Sequence, residues 1–413
     1  MNEKLRHKRV LKCIVTTMIC MLVVFLSAPS SPAGEVDILI EKLVEKGVLT
    51  PGEGQQILTE TKEEVRKQLA KGESDLLPKW VQNVKFKGDL RLRYQWQDKE
   101  GSTDRHRGRV RFRFGAETKV LDTLKVGFRL ASGGTDPRST NQTFQDSFSS
   151  KGINLDQAYA LWEPTGWVSL VGGKFKNPLW KPSDLIWDGD INPEGGAAMF
   201  QYNASEQMGL FANVGFFILD ETKSSGDDPL MWVVQPGFDW KINDVASFKG
   251  AVSYYAFSNV EGHELDHSGD TNTRLPGGGL AYDFDSIVLS AELGMKPGFV
   301  KYASIFGDYV NNTDPSDEED AWLIGFKFGD QKVKEKGQWQ VKYGYRRVER
   351  DSILDILTDS DFFSGKTNVK GHEGIIEYGL AKNISLGLDY YHTEELHGST
   401  EEDLIQLDWK VKF

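Results

Sequence analysis

Two short runs near residue 100 limit what this chain can become. From Gly88 to Gly115 the sequence reads GDLRLRYQWQDKEGSTDRHRGRVRFRFG. In the first run Leu90, Leu92, Tyr94 and Trp96 alternate with Asp89, Arg91, Arg93 and Gln95. In the second, Val110, Phe112 and Phe114 alternate with Arg107, Arg109, Arg111 and Arg113. A period of two belongs to strands, whose successive side chains leave opposite faces of a sheet. One face is apolar and the other strongly cationic. A soluble sandwich buries the apolar face and leaves the arginines in bulk water. A membrane barrel turns the apolar face to lipid and the charge to a wet lumen.

The N-terminus points to export. Lys4, Arg6, Lys8, Arg9 and Lys12 precede an apolar core from Cys13 to Leu26, and Ser31-Pro32-Ala33 supplies small residues for cleavage near Ala33. Residues 1–33 are therefore expected to be a signal peptide, with an uncleaved anchor as the alternative. A lipid-anchored cut before Cys20 is disfavoured by bulky Ile19. No later run reaches the roughly 18 apolar residues of a membrane helix, so any further crossing falls to strands. Cys13 and Cys20 are the only cysteines. After cleavage there is no disulfide framework, Cys-ligated zinc or thiol nucleophile. Cleavage also removes five Lys/Arg and one Glu, taking the net charge from −12 to near −16. That argues against nucleic acid as a partner and makes the cationic hairpin a local feature. The mean hydropathy of −0.43 suits a soluble protein, but barrels hide their signal because only alternate residues face lipid.

Residues 34–78 are expected to form a helical arm and linker. Ile38, Leu39, Leu43 and Val44, then Ile57, Leu58, Val65 and Leu69, follow helical spacing, and Gly47 to Gly54 divides them into two helices. Gly72 to Pro78 is the linker. Two readings of the arm stand: a periplasmic element packing with copies of itself, or a helix pair against the barrel rim.

From residue 79 to Phe413 the expected fold is all-β, a transmembrane antiparallel barrel. Sixteen segments qualify as strands: 85–96, 107–119, 123–131, 153–163, 166–175, 196–204, 207–219, 230–242, 246–258, 283–296, 299–311, 320–329, 338–349, 370–381, 383–393 and 402–413. Short turns alternate with long polar loops, which is the outer-membrane arrangement with long loops outside. Counting Gly277–Tyr282 as a strand would make the number odd, so it is placed in a loop. Open edges have no water to satisfy them in lipid, so the sheet must close. Around sixteen strands the lumen becomes wide enough for a water channel.

The signal peptide, the arm, the block GDLRLRYQ and the stretch STNQTFQDSF…INLDQAYALW…GGKFKNPLWKPSDLIWDGDINPEG resemble the putative porin family of Gram-negative bacteria, itself distantly similar to phosphate-selective porins. The terminal Phe413 is similar to the aromatic by which barrel proteins are recognised for outer-membrane assembly. The resemblance implies an outer-membrane channel for passive diffusion of small hydrophilic solutes, trimeric, with the arm in the periplasm. It identifies no solute and implies no cofactor.

Candidate functional residues follow. Arg91, Arg93, Arg107, Arg109, Arg111, Arg113, Lys125 and Arg129 share the lumen parity of three successive strands and would build one cationic wall. Such a wall either selects anionic solutes or is neutralised by acids. By analogy with general porins, the third long loop would enter the channel, with Asp184, Asp188, Asp190 and Glu194 at the constriction. The run Asp188-Gly-Asp190-Ile-Asn192 starts like a calcium loop but has Pro193 where Gly is required and Met199 where Glu is required. His263-Glu264-Leu265-Asp266-His267 matches a zinc-protease motif but lies in a loop between glycines rather than on a helix. No catalytic or metal site is assigned. Two other functions are open to a barrel of this kind. A receptor or adhesin barrel would have a plugged lumen, and a barrel hydrolase would need a Ser–His pair on rim or lipid-facing positions, which is not found.

Overall fold

The structure, a computed structural model, describes residues 35–71, 79–223 and 226–413. The expected signal peptide and the 72–78 linker lie outside the described residues. The chain divides into two units between Pro78 and Lys79.

The first unit is a helical hairpin, Glu35–Glu45 and Pro51–Lys71. Gly47 ends the first helix at φ +69°, a left-handed conformation that costs glycine little. The second begins with a capping box. The Thr50 N–H donates to Glu53 Oε2 at 2.9 Å, and the Glu53 N–H donates to Thr50 Oγ1 at 3.3 Å. Gly54 lets the helices approach closely, since a Cβ there would lie 2.7 Å from Val44 Cγ2.

In the second unit, a four-residue helix (Lys79–Gln82) precedes seventeen strands. They are β1 (Lys85–Lys99), β2 (Arg105–Leu121), β3 (Leu124–Ser132), β4 (Gln142–Thr143), β5 (Ile153–Thr165), β6 (Val168–Lys174), β7 (Glu194–Asn203), β8 (Met208–Ile218) and β9 (Leu230–Lys241). Then come β10 (Ala246–Ser258), β11 (Ser286–Met295), β12 (Tyr302–Asn312), β13 (Asp320–Gly329), β14 (Trp339–Val348), β15 (Val369–Ala381), β16 (Ile384–Glu395) and β17 (Glu401–Lys412). Each pairs antiparallel with its neighbours, and β1 pairs with both β2 and β17, closing the sheet. β4 is a two-residue strand of a loop laid on β2, so sixteen strands build the barrel. Residues 277–282 lie in a loop, where Leu280 makes isolated bridges to Glu261 and Arg274.

The outer face is apolar, with Trp232, Val234, Ile305, Ile324, Phe326 and Leu388 among its exposed side chains. Near the long-loop end, outward tyrosines keep their hydroxyls satisfied. Tyr254 donates to Asp285 at 3.0 Å, Tyr309 to Asp320 at 2.7 Å and Tyr390 to Asp403 at 2.8 Å. An apolar body with a satisfied polar tip suits a membrane interface.

The lumen departs from the expected wet, charged interior. Over β9 and β11–β13 apolar residues occupy both faces: Met231 and Val233 point inward beside outward Trp232 and Val234, and Phe306 and Val310 beside outward Ile305 and Tyr309. The inward set is buried by two loops that fold into the barrel, 175–193 and 349–368. Leu185 and Trp187 of the first, and Leu354 and Phe363 of the second, are at most 2% exposed. A third loop, 259–285, is stitched to the second. Asn272 Nδ2 donates to the Ile353 carbonyl at 2.9 Å, and Ser268 and Thr271 donate to Asp355. Arg138 of the 133–152 loop joins the second and third loops, donating to the Asp355 carbonyl at 2.8 Å and the His267 carbonyl at 2.9 Å. One part of the lumen is thus a dry core.

Candidate functional site

The opposite wall is charged. Pairing of β1 with β2 sets Arg91 against Arg111, Arg93 against Arg109, Gln95 against Arg107 and Asp89 against Arg113. Pairing of β2 with β3 sets Gly115 against Arg129. Directly opposed like charges are destabilising, and acids offset part of that cost here. Asp89 accepts from Arg111 at 2.9 Å and from Arg113 at 2.7 Å. Arg93 makes a bidentate pair with Asp408, at 2.7 and 2.9 Å, and reaches Asp361 at 3.0 Å. Arg129 is paired with Asp156 and donates to Asn192 at 3.3 Å. Lys125 lies near the short-turn end, paired with Glu163 at 2.6 Å.

The 175–193 loop crosses from this wall to the far side. Asp190 accepts from Thr140 Oγ1 at 2.8 Å and lies 3.3 Å from Arg113 and 3.8 Å from Arg111. Asp188 accepts the Ser360 N–H at 2.8 Å, joining the two inward loops. Asp184 meets Arg346 of β14 at 2.7 Å. Glu194 requires a correction: it opens β7 and pairs with Lys174 across the β6–β7 ladder at 2.6 Å, largely exposed, so it takes no part in the loop's crossing.

Burial shifts the loop acids unevenly. Asp188 is pushed up to about 7, first by burial and then by the charge of Asp190, against the pull of the Ser360 and Asp190 N–H groups. Burial also acts to raise Asp361, but Arg93 and Arg91 outweigh it and hold this carboxyl at about 2. The acids are therefore kept apart by their surroundings rather than by their sequence.

Two cavities lie along the wall. One, about 330 Å³, is lined by residues including Thr140, Asp156, Asp190 and Asn192. The other, about 400 Å³ toward the short-turn end, is lined by residues including Lys87, Asp89, Arg113, Arg129 and Lys412. Contacts bridging the two linings are the Arg113–Asp190 and Arg129–Asn192 pairs and a 2.7 Å hydrogen bond from Gln157 to Asn192. One layer of side chains separates the cavities.

Several residues of this charge system escaped sequence reasoning. Arg346 is 3% exposed and holds Glu373 at 2.5 Å as well as Asp184. Lys342 bridges the same two acids, at 2.8 Å and 3.7 Å. Their lumen parity on β14 and β15 was available, but nothing local marks them as partners of a loop 160 residues away, as the sequence separation of 162 shows. Asp359 and Asp361 of the 349–368 loop join the same system, at 3.5 Å from Arg346 and 3.0 Å from Arg93. The histidines of the protease-like motif lie on no helix, and His267 has a left-handed φ of +64°.

A sequence model of the family described as Putative porin matches residues 98–278 and 278–413. The chain belongs to the Putative porin family. Among solved structures, this porin is similar to OprB of Pseudomonas putida, with a TM-score of 0.53 and 12% identity over 81% of this chain and 95% of that one. It also matches the outer membrane channel DcaP of Acinetobacter baumannii, with a TM-score of 0.48 and 14% identity over 80% and 97%. A mutant porin of Rh. blastica matches with a TM-score of 0.47 and 12% identity over 80% and 100%. No protein of curated function matches in sequence. Family and barrel together make this porin a channel of the Gram-negative outer membrane.

Proposed function

We propose that this channel passes small hydrophilic solutes by passive diffusion along the arginine wall and prefers anions. The observation that carries the reading is the concentration of guanidinium groups on β1–β3, with the opposite part of the lumen dry. A solute is therefore steered past fixed positive charge, which admits anions more readily than cations. The 175–193 loop, through Asp190, trims that charge at the layer between the two cavities.

The working assembly in this reading is a homotrimer, with residues 1–33 removed on export and the helical hairpin in the periplasm. The short strand β6 supports it. β6 has seven residues, fewer than the 9–11 a strand needs to span a bilayer, so this side is suited to contact with another copy rather than with lipid alone. Chemical cross-linking of membranes checks the trimer.

Conductance of the purified protein in planar bilayers, with reversal potential in a potassium chloride gradient, tests the function. Anion selectivity is expected, and Arg109→Ser with Arg111→Ser should move the reversal potential toward cations. Cation selectivity of the unaltered protein overturns the anion reading. A second reading, a receptor barrel with a plugged lumen, has in its favour the two loops packed inside the barrel, and absence of conductance selects it.

A further inference from the structure

We propose that Arg91, Arg107 and Arg109 form a binding site for the carboxylate of a small organic acid, at the long-loop end of the wall. This rests on the anion preference argued above and adds a ligand class and a place. The wall has two kinds of step. At the lower step, Arg111 and Arg113 share the Asp89 carboxylate at 2.9 and 2.7 Å, with Asp190 beside them. Here the protein's own aspartates occupy the space between guanidiniums.

The upper step differs. Arg107 donates to Gln97 at 3.1 Å, and Arg109 donates to Gln95 at 3.1 Å and Ser139 at 3.4 Å. Neither forms an ion pair with a carboxylate among the described residues. Arg91 donates to Asn141 at 2.8 Å. Its nearest acid, Asp408 at 3.6 Å, already holds Arg93 through both oxygens. Arg91 is only 8% exposed, and the Nε atoms of Arg91, Arg107 and Arg109 are all buried without a hydrogen-bond partner among the described residues.

A buried guanidinium without a counter-ion is costly, and its planar fork matches a carboxylate in two-point contact. Arg91, Arg109 and Arg107 occupy three successive lumen-facing register pairs of β1 and β2, and their Nη groups rest on neutral partners that an anion can replace. Their hydrogen-bond partners Gln95, Gln97, Ser139 and Asn141 are neutral, and the neighbouring carboxylates Asp408 and Asp361 are held by Arg93. Lower on the wall, where Asp89 faces Arg113, the same chemistry is already satisfied by aspartate. The protein thus shows which group fits between its arginines.

The test measures chloride current through the full-length channel in bilayers while acetate replaces chloride at constant ionic strength, with inorganic phosphate in a parallel series. Acetate should depress the current saturably. Arg107→Gln with Arg109→Gln should raise the half-effect concentration about tenfold or more. Arg107→Lys with Arg109→Lys keeps the charge and removes the fork, so it should weaken acetate binding severalfold. An anion-selective channel without acetate saturation overturns the site and leaves the anion preference standing. Saturation by acetate in a cation-selective channel does the reverse. Saturation by phosphate alone overturns the assignment to carboxylates, and Lys variants that bind acetate unchanged overturn the role of the forks.

Discussion

Gly88 lies against the ring of Phe413. A Cβ on Gly88 would come within 2.5 Å of that ring and 2.8 Å of the Arg113 carbonyl oxygen. The two backbones also bond, Gly88 N–H to Phe413 O at 2.8 Å and Phe413 N–H to Gly88 O at 3.0 Å, where the first and last strands meet. The terminal aromatic is thus placed by the same contact that closes the barrel. Gly88→Val should destabilise the barrel by about 1–3 kcal/mol through overpacking. Adding Phe413→Ala should recover part of that loss, because the ring is one of the two clashing groups. The temperature at which the folded band in a detergent gel converts to the unfolded band reads both.

Arg346 is the single cation closest to three acids from three segments, Asp184, Asp359 and Glu373. Arg346→Ala leaves them buried together without it and should cost about 3–5 kcal/mol. Glu373→Gln combined with it should cost less than the sum, since one repelling charge is gone. Thermal melting followed by tryptophan fluorescence is a suitable measurement, with Trp187 in the affected loop.

The join between the inward loops should depend on pH. An unfolded carboxyl titrates near about 4, and Asp188 in place titrates at about 7. Between these values the folded state binds the extra proton, so stability falls as pH rises. The contribution is fully present below pH of about 4 and lost as pH passes through about 7. Asp188→Asn should flatten the melting temperature between pH 5 and 8 relative to the unaltered protein. Equal slopes for the two would show that another group is responsible.

Thr50→Ala removes half of the capping box and should weaken the second helix by about 1 kcal/mol. Faster amide exchange confined to the first turns after Pro51, with the barrel strands unchanged, is the expected pattern.

The strands were legible because lipid and lumen impose a strict alternation, and Gly88 to Gly115 shows it in pure form. The inward 349–368 loop was not, because loops carry no period, and the inward course of the third long loop was expected only by analogy with general porins. A physical cue was nevertheless present. Ile353, Leu354, Ile356, Leu357, Phe362 and Phe363 are too apolar for a loop left in water, and a twenty-residue connection carrying them needs a wall to lie against. That wall was missed because inward Met231 and Val233 were indistinguishable from their lipid-facing neighbours in a continuous apolar run. Around the arginines, alternation placed Arg91 and Arg111 on one face but could not assign each its acid. Asp361 and Asp190 arrive from distant loops, and pairing of that kind is decided only in three dimensions.

The apolar lining beneath the 349–368 loop has a consequence for engineering. In a barrel with a wet interior, trimming an inward loop widens the bore. Here trimming would uncover Val288, Phe306, Val310 and Leu323, a surface that water does not wet. Such a constriction conducts poorly even where atoms leave room, because ions do not enter a dewetted passage. A shortened variant would be a wider tube that carries less current.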